Sequence, residues 1–154
     1  MAIRGQWIYF NTYFNKRDTS YYSIRKNKLG CVPLIEPVNR YEDGFIHSAD
    51  YAIDLIKRIS HENIGLLLDT FHMNIEERDI CKSIINSRNY LWHVHIADSN
   101  RWTPGQGHLG FKRVIETLQD IHYNGYLSAE ILPPMPYPAK AMQLTIQTFN
   151  FRAA

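Results

Sequence analysis

Two cysteines, Cys31 and Cys81, are too few for a disulfide framework, and they form no CxxC motif. Buried or idle thiols are the expectation. No stretch reaches the roughly 18 consecutive apolar residues that a membrane helix needs. The opening residues, "MAIRGQWIYFNTYF", also lack the unbroken apolar core and small-residue cleavage site of a signal peptide. A cytoplasmic protein with no membrane partner is therefore expected. Low-complexity tracts are missing too, and 45% hydrophobic residues in a chain of 154 can sustain the core of a globular domain.

Charge of one sign is scarce overall, with a net of +2, but it is unevenly placed. Residues 1–30 carry six Lys/Arg against one Asp, and residues 31–154 carry eleven against fourteen acids. The chain thus divides into a basic, aromatic leader, 1–30, and a mildly acidic body, 31–154. Phosphates attract Lys/Arg and bases stack on aromatic rings, yet the irregular spacing in the leader fits a solvated or partly core-facing segment as well. Nucleic acid is not an expected partner.

From residue 31 a pattern recurs. "CVPLIEP" is a short apolar run ending in an acid, and "AIDLIKRI" follows with Ala52, Leu55, Ile56 and Ile59 on one helical face. "NIGLLLD" repeats the strand. "NIEERDICKSIINSR" predicts a second helix, with Asn74 capping its first turn, Glu77 three places on, and Ile80, Cys81, Ile84 and Ile85 as the buried stripe. "YLWHVHIAD" is a third strand, and its helix "FKRVIETLQDIHY" places Phe111, Val114, Ile115, Leu118 and Ile121 together. "GYLSAEIL" is a fourth strand. After the turn "PPMPYP", a last helix with Pro138 in its first turn groups Ala139, Met142, Ile146 and Phe149. Strands alternating with helices in units of about 30 residues predict an α/β fold with right-handed βαβ crossovers and a parallel sheet.

In such folds reactive groups collect at the carboxyl ends of the strands. Here those ends carry Glu36, Asp69, His95 and Glu130, separated by 33, 26 and 35 residues, one per βα unit. A lone acid at a strand end is ordinarily a helix cap or turn former; four groups in register point to a shared site. Three crowded carboxylates repel unless they are protonated or bind a cation. With one imidazole, they suit Mn, Mg or Co better than a thiolate-rich zinc site would.

The stretches "IEPVNRYE", "LLLDTFHMNIEE", "HVHIADSNR" and "GYLSAEI", over residues 31–132, resemble the sugar epimerase branch of the xylose isomerase-like TIM barrels, the D-tagatose and D-psicose 3-epimerases. "DTFHMNIEE" is the most specific of these segments. The resemblance implies a (β/α) TIM-barrel type of fold, with about four βα units corresponding to the second half of a (β/α)8 barrel. It implies that Glu36, Asp69, His95 and Glu130 are ligands of a divalent metal, Mn foremost with Mg or Co also suited, and that Glu36 and Glu130 are the catalytic acid/base pair. Glu42, His72 and Arg101 fall on substrate-binding positions. The implied chemistry is epimerisation of a ketose at carbon 3, by removal of a proton beside the carbonyl, through a metal-bound enediolate, and its return on the opposite face.

Four units are half of a barrel that usually takes about 250 residues. The expectation is a half-barrel that pairs with another copy to complete the ring, or a catalytically poor metal-binding fragment or association module. Hydroxypyruvate and inosose isomerisation, and cleavage at abasic sites in DNA, are the alternative activities. Other polar residues are read more plainly. His93 shares a strand face with His95 and is expected in the interior, and Asp98 is expected to fix its loop or Arg101. Trp102 either walls the pocket or packs on its loop, and His108 borders it. His47, His61 and His122 are expected at the surface. "GQGHLG" has the GxGxxG spacing but follows a polar loop, which argues against a dinucleotide site.

Overall fold

The computed structural model describes residues 33–42, 44–132 and 138–149. The basic leader, Cys31 and the Pro-rich turn lie outside these residues. Four strands, β1 (Leu34–Ile35), β2 (Gly65–Asp69), β3 (Leu91–Ile96) and β4 (Leu127–Ala129), form one parallel sheet in the order β1-β2-β3-β4. Five helices accompany them: α1 (Ala49–Ile59), α2 (Thr70–Glu76), α3 (Ile80–Ser87), α4 (Phe111–Asp120) and α5 (Pro138–Phe149). None is long and apolar enough to cross a membrane. Sequential strands in sequential order, joined by helical crossovers, make a segment of a TIM barrel rather than a doubly wound sheet.

One face of the sheet is sealed by helices. Ala52, Ile53 and Ile56 from α1, Ile84 from α3, and Phe111, Val114 and Leu118 from α4 pack on Leu66, Leu68, Val94 and Ile96. Strand alternation turns Leu67, Asp69, His93 and His95 to the opposite face, and all four are buried as well. Burial on both faces explains the unbroken apolar run "GLLL".

The pairing of β2 with β3 contains an irregularity. Leu66 lies opposite Leu91 but Leu67 lies opposite His93, so Trp92 is an extra residue on β3. A Cβ on Gly65 would run into the Trp92 ring, so the glycine gives the displaced indole its space. Past this bulge, Asp69 stands opposite His95.

Two helices depart from the expectation. The single helix predicted from Asn74 is two helices, α2 starting directly after β2 and α3 starting at Ile80. Asn74 lies inside α2, and the caps are Asp69, accepting from the Phe71 N–H at 2.7 Å, and Asp79, accepting from the Lys82 N–H at 3.1 Å. Glu77 ends α2 instead of completing a capping box. Its two oxygens accept from the Ala49 N–H at 2.8 Å and the Ser83 hydroxyl at 2.7 Å, tying α1 to α3. The buried line of α3 runs through Ile84 and Ser87, which leaves Ile85 45% exposed and Cys81 half-buried. In α5, which does start at Pro138, Ala141 is the buried residue, Met142 and Ile146 are 67% and 52% exposed, and Ala139 is exposed too. Of the expected α5 stripe only Phe149 packs inward, edge-on to Phe111 at 5.8 Å.

Gly65→Ala is expected to destabilise the fold by about 1–3 kcal/mol through overpacking against Trp92. Gly44→Ala, with nothing near its added Cβ, should change stability by less than about 0.5 kcal/mol. Chemical denaturation of the two variants beside the parent measures the difference.

Candidate metal centre

Each of the four strands delivers one polar side chain to the same end of the sheet. Glu36 follows β1, Asp69 closes β2, His95 is the penultimate residue of β3, and Glu130 follows β4. One ligand atom from each of these residues lies within 4.8 Å of all the others. His95 Nδ1 is 3.8 Å from Glu36, 3.7 Å from Asp69 and 3.8 Å from Glu130. Such separations are too long for good hydrogen bonds, and they suit two donors sharing one cation at about 2.0–2.3 Å each.

Asp69 has a double position. Its Oδ1 caps α2, while its Oδ2 is buried and has no hydrogen-bond partner among the described residues. A buried, orphaned carboxylate oxygen facing two more carboxylates and an imidazole fits a hard divalent cation. The protonation of the four groups reflects the same crowding. Burial pushes the Glu36 carboxyl up to about 7, and burial together with Glu130 also raises Asp69. Glu130 moves the other way, held down first by His95. For His95, burial opposes the charge, but the three carboxylates outweigh it and raise the imidazole.

A second group of side chains adjoins the first. Arg101 Nη1 donates to Glu42 Oε1 at 2.6 Å, and Nη2 reaches Glu130 Oε2 at 3.3 Å. The guanidinium also lies 4.8 Å above the Phe71 ring, a cation–π contact. His72, 3% exposed in α2, joins Glu42 through Asn39, whose amide nitrogen is 2.7 Å from His72 Nδ1 and 2.9 Å from Glu42 Oε1. Burial pushes the His72 imidazole down to about 4, so it is neutral at pH 7. Glu42 resists burial and is lowered by its bonds from Arg101 and Asn39. All seven candidate residues from the sequence thus belong to one connected constellation.

The loop after β3 explains how Arg101 arrives there. Asp98 is fully buried, and its carboxylate accepts from the backbone N–H groups of Ser99 and Gly105 at 2.7 Å and Leu109 at 3.1 Å. Those bonds hold its carboxyl below the usual range against the opposing effect of burial. Arg101 takes a left-handed backbone, φ 60°, inside the loop so fixed. The glycines of "GQGHLG" serve the same cage, since a Cβ on Gly107 would collide with Asp98 and Gly105 has φ 87°. Trp102 is 44% exposed on this loop and His108 is exposed. His93 is interior, edge-on to His95 at 5.2 Å. His122 is exposed, whereas His47 and His61 are half-buried and engage Val38 O and the Asn63 N–H.

Asn39, Phe71 and Thr70 were not singled out by the sequence. Thr70 Oγ1 bridges the carbonyl of Ala97 at 2.7 Å and its N–H at 3.0 Å, clamping the ends of β2 and β3 together. The signal for Asn39 was its place three residues before Glu42, the spacing of a turn whose first side chain folds back over the last.

The fold and site together define part of a (β/α)8 barrel with its polar centre at the carboxyl ends of the strands. The chain belongs to the family described as xylose isomerase-like TIM barrels, whose profile matches residues 25–148. It is 41% identical over 96 residues to a D-psicose 3-epimerase of Ruminiclostridium cellulolyticum, covering 62% of this chain and 33% of that protein. It is 37% identical over 103 residues to a 3-dehydro-D-guloside 4-epimerase of Escherichia coli, covering 67% of this chain and 39% of the other. Among solved structures, 3-keto-D-glucoside 4-epimerase from Escherichia coli superposes with a TM-score of 0.72 at 34% identity, over 77% of this chain and 45% of that one. The chain therefore spans between about a third and two fifths of the length of these two curated relatives.

The raised Glu36 has a measurable consequence. Its folded-state value, about 7, lies above its ordinary 4.5, so the metal-free protein loses stability as pH rises from about 4.5 to about 7. The loss is at most about 3 kcal/mol for this group. In chelator-treated protein Glu36→Gln should match the parent at pH 4.5 and melt several degrees higher at pH 8. Thermal melts at the two pH values check this, and equal melting differences at both would contradict it.

Proposed function

We propose that residues 31–154 form a divalent-metal-dependent sugar epimerase unit, with a ketose as substrate and carbon 3 as its reacting centre. The observation that carries the reading is the placement of two carboxylates at the ends of the outermost strands. Glu36 follows β1 and Glu130 follows β4, with Asp69 and His95 on the strands between. One carboxylate can remove the proton beside the carbonyl from one side, and the other can return a proton from the opposite side. Their environments already differ, one raised by burial and one held down by His95, which suits unlike acid and base roles.

Glu36, Asp69, His95 and Glu130 would hold the cation, for which Mn is the best match to three carboxylates and an imidazole, with Mg and Co next. Bound there, it would supply a Lewis acid that stabilises the negative charge of an enediolate. Arg101, braced by Glu42 and Phe71, donates to the sugar oxygens, and neutral His72 adds a further donor. The named activities of the relatives, at carbon 3 in one and carbon 4 in others, support the reaction class. With Mn, the protein should exchange the carbon 3 proton of a ketose for deuterium from deuterated water. Glu36→Gln and Glu130→Gln should each slow turnover by about 100-fold or more. A folded, Mn-loaded protein that exchanges no deuterium with any common ketose contradicts the proposal.

Closure of the pocket is the second part of this reading. Among the described residues β1 and β4 each have one partner strand, and Leu127 of β4 with Tyr126 and Leu132 flanking it are exposed at 37%, 70% and 43%. Two copies joined through these edges would give an eight-stranded ring and cover the open edges. Light scattering should then report twice the 18.1 kDa of one chain. A monomeric, folded and inactive protein would favour an association module instead.

A further inference from the structure

We propose that Asn39 is a positioning residue of this site: it fixes His72 in the tautomer that keeps Nε2–H as the donor, and it sets the aim of Glu42. The inference rests on the reading of His72 and Glu42 as substrate contacts, and it follows from the orientation of one buried amide.

Asn39 is 1% exposed, so each of its polar atoms needs a partner. The Tyr41 N–H donates to Asn39 Oδ1 at 3.0 Å, which settles which end of the amide is oxygen. The amide nitrogen is then left with two hydrogens and two acceptors. One is Glu42 Oε1 at 2.9 Å, and the other is His72 Nδ1 at 2.7 Å. The backbone N–H of Asn39 donates to the same His72 Nδ1 at 3.3 Å. A ring nitrogen facing two donors must offer its lone pair, so the imidazole proton sits on Nε2.

The same amide governs Glu42. Its Oε1 receives both Asn39 and Arg101, and Arg101 continues to Glu130. The turn carrying Asn39 is itself anchored to α2, because Arg40 bonds Glu76 through its backbone N–H at 2.7 Å and its guanidinium at 3.0 and 2.9 Å. Asn39 is therefore held from two sides and transmits that fixity to His72 and Glu42. None of its atoms enters the four-residue cluster, so it acts through its neighbours.

Asparagine is the residue type that satisfies these demands. Aspartate would present an oxygen, not a donor, to His72 Nδ1 and would face Glu42 with a second negative charge. Alanine would leave only the long backbone contact.

The test is nitrogen-15 NMR of imidazole-labelled protein, with the His72 signals assigned from their loss in His72→Gln. The expected parent spectrum has an unprotonated Nδ1 and a protonated Nε2. In Asn39→Asp, folded by circular dichroism, Nδ1 should become protonated. Asn39→Asp and Asn39→Ala should both lower kcat/KM for the ketose by about 10- to 100-fold, with Mn affinity by calorimetry unchanged. A protonated Nδ1 in the parent overturns the proposal, even if neither variant folds. So does an unchanged His72 spectrum in Asn39→Asp, or unchanged turnover beside a switched tautomer. The spectra need no turnover, so a chain without epimerase activity defeats the functional reading while the tautomer assignment is still decided by NMR.

Discussion

Three carboxylates and an imidazole brought within 4.8 Å of one another are the constraint to which the rest of the structure answers. Left alone, the three carboxylates repel one another, and burial makes the repulsion worse. They stay together because a sheet holds them: β2 and β3 are packed on both faces, and the crossover helices of the segment seal one of those faces. The register that aligns them depends on one bulge. With Leu66 opposite Leu91, regular pairing would bring Asp69 opposite Val94; the extra residue, Trp92, moves it to His95. Gly65 is the counterpart of that shift, since its missing side chain is the space the Trp92 ring occupies. A small irregularity in the strand pairing, accommodated by a glycine, thus determines which groups meet at the site.

A second fixed element works through the loop after β3. Asp98 organises that loop by gathering backbone N–H groups, a structural use of a buried charge that leaves its carboxylate ionised. The loop in turn holds Arg101 in a left-handed conformation. Arg101 then neutralises part of the acidic cluster through Glu130 while remaining bonded to Glu42. Positive charge is thereby supplied at the rim of the cluster, and at the centre Asp69 Oδ2 has no hydrogen-bond partner among the described residues. The division between rim and centre follows from reach: an arginine on a loop approaches from outside, whereas the strand ends converge from below.

Much of this was legible in the sequence because strand ends are marked by where an apolar run stops. "GLLLD", "LWHVHI" and "YLSAE" each announce the polar residue that the fold delivers, and the spacing of one such residue per unit announces that they meet. Helix boundaries were less legible. "NIEERDICKSIINSR" has helical spacing throughout, and nothing in that spacing reveals that Glu77 leaves the helix to tie α1 to α3. Asp79 was the cap, but Asn74 is also a cap-forming residue, and a sequence alone gives both equal claim. In α5, apolar spacing predicted a buried Met142 and Ile146, which are exposed. Periodicity reports that a face is apolar without reporting what covers it. Asn39 differs: its place three residues before Glu42 signals a turn, but its importance lies in which atoms of a short side chain point where, and that spacing does not encode it.

The exposed residues of α5 and β4 bear on what this segment can do by itself. The ligand groups are positioned by β1 to β4 and by the core under α1, α3 and α4, and Met142 and Ile146 contribute nothing to that packing. Assembly of the four-residue cluster is therefore a local property of the four βα units. Enclosure of a sugar, under the proposed function, is a different demand, because water would have to be excluded on the side where β1 and β4 each have one strand neighbour among the described residues. A cation would need only the donors that converge on it, whereas the proposed proton transfer at carbon would need the substrate held dry and still between Glu36 and Glu130. The two proposed capacities would thus depend on different surfaces of the same segment, the first on the centre of the sheet and the second on the edges along β1 and β4.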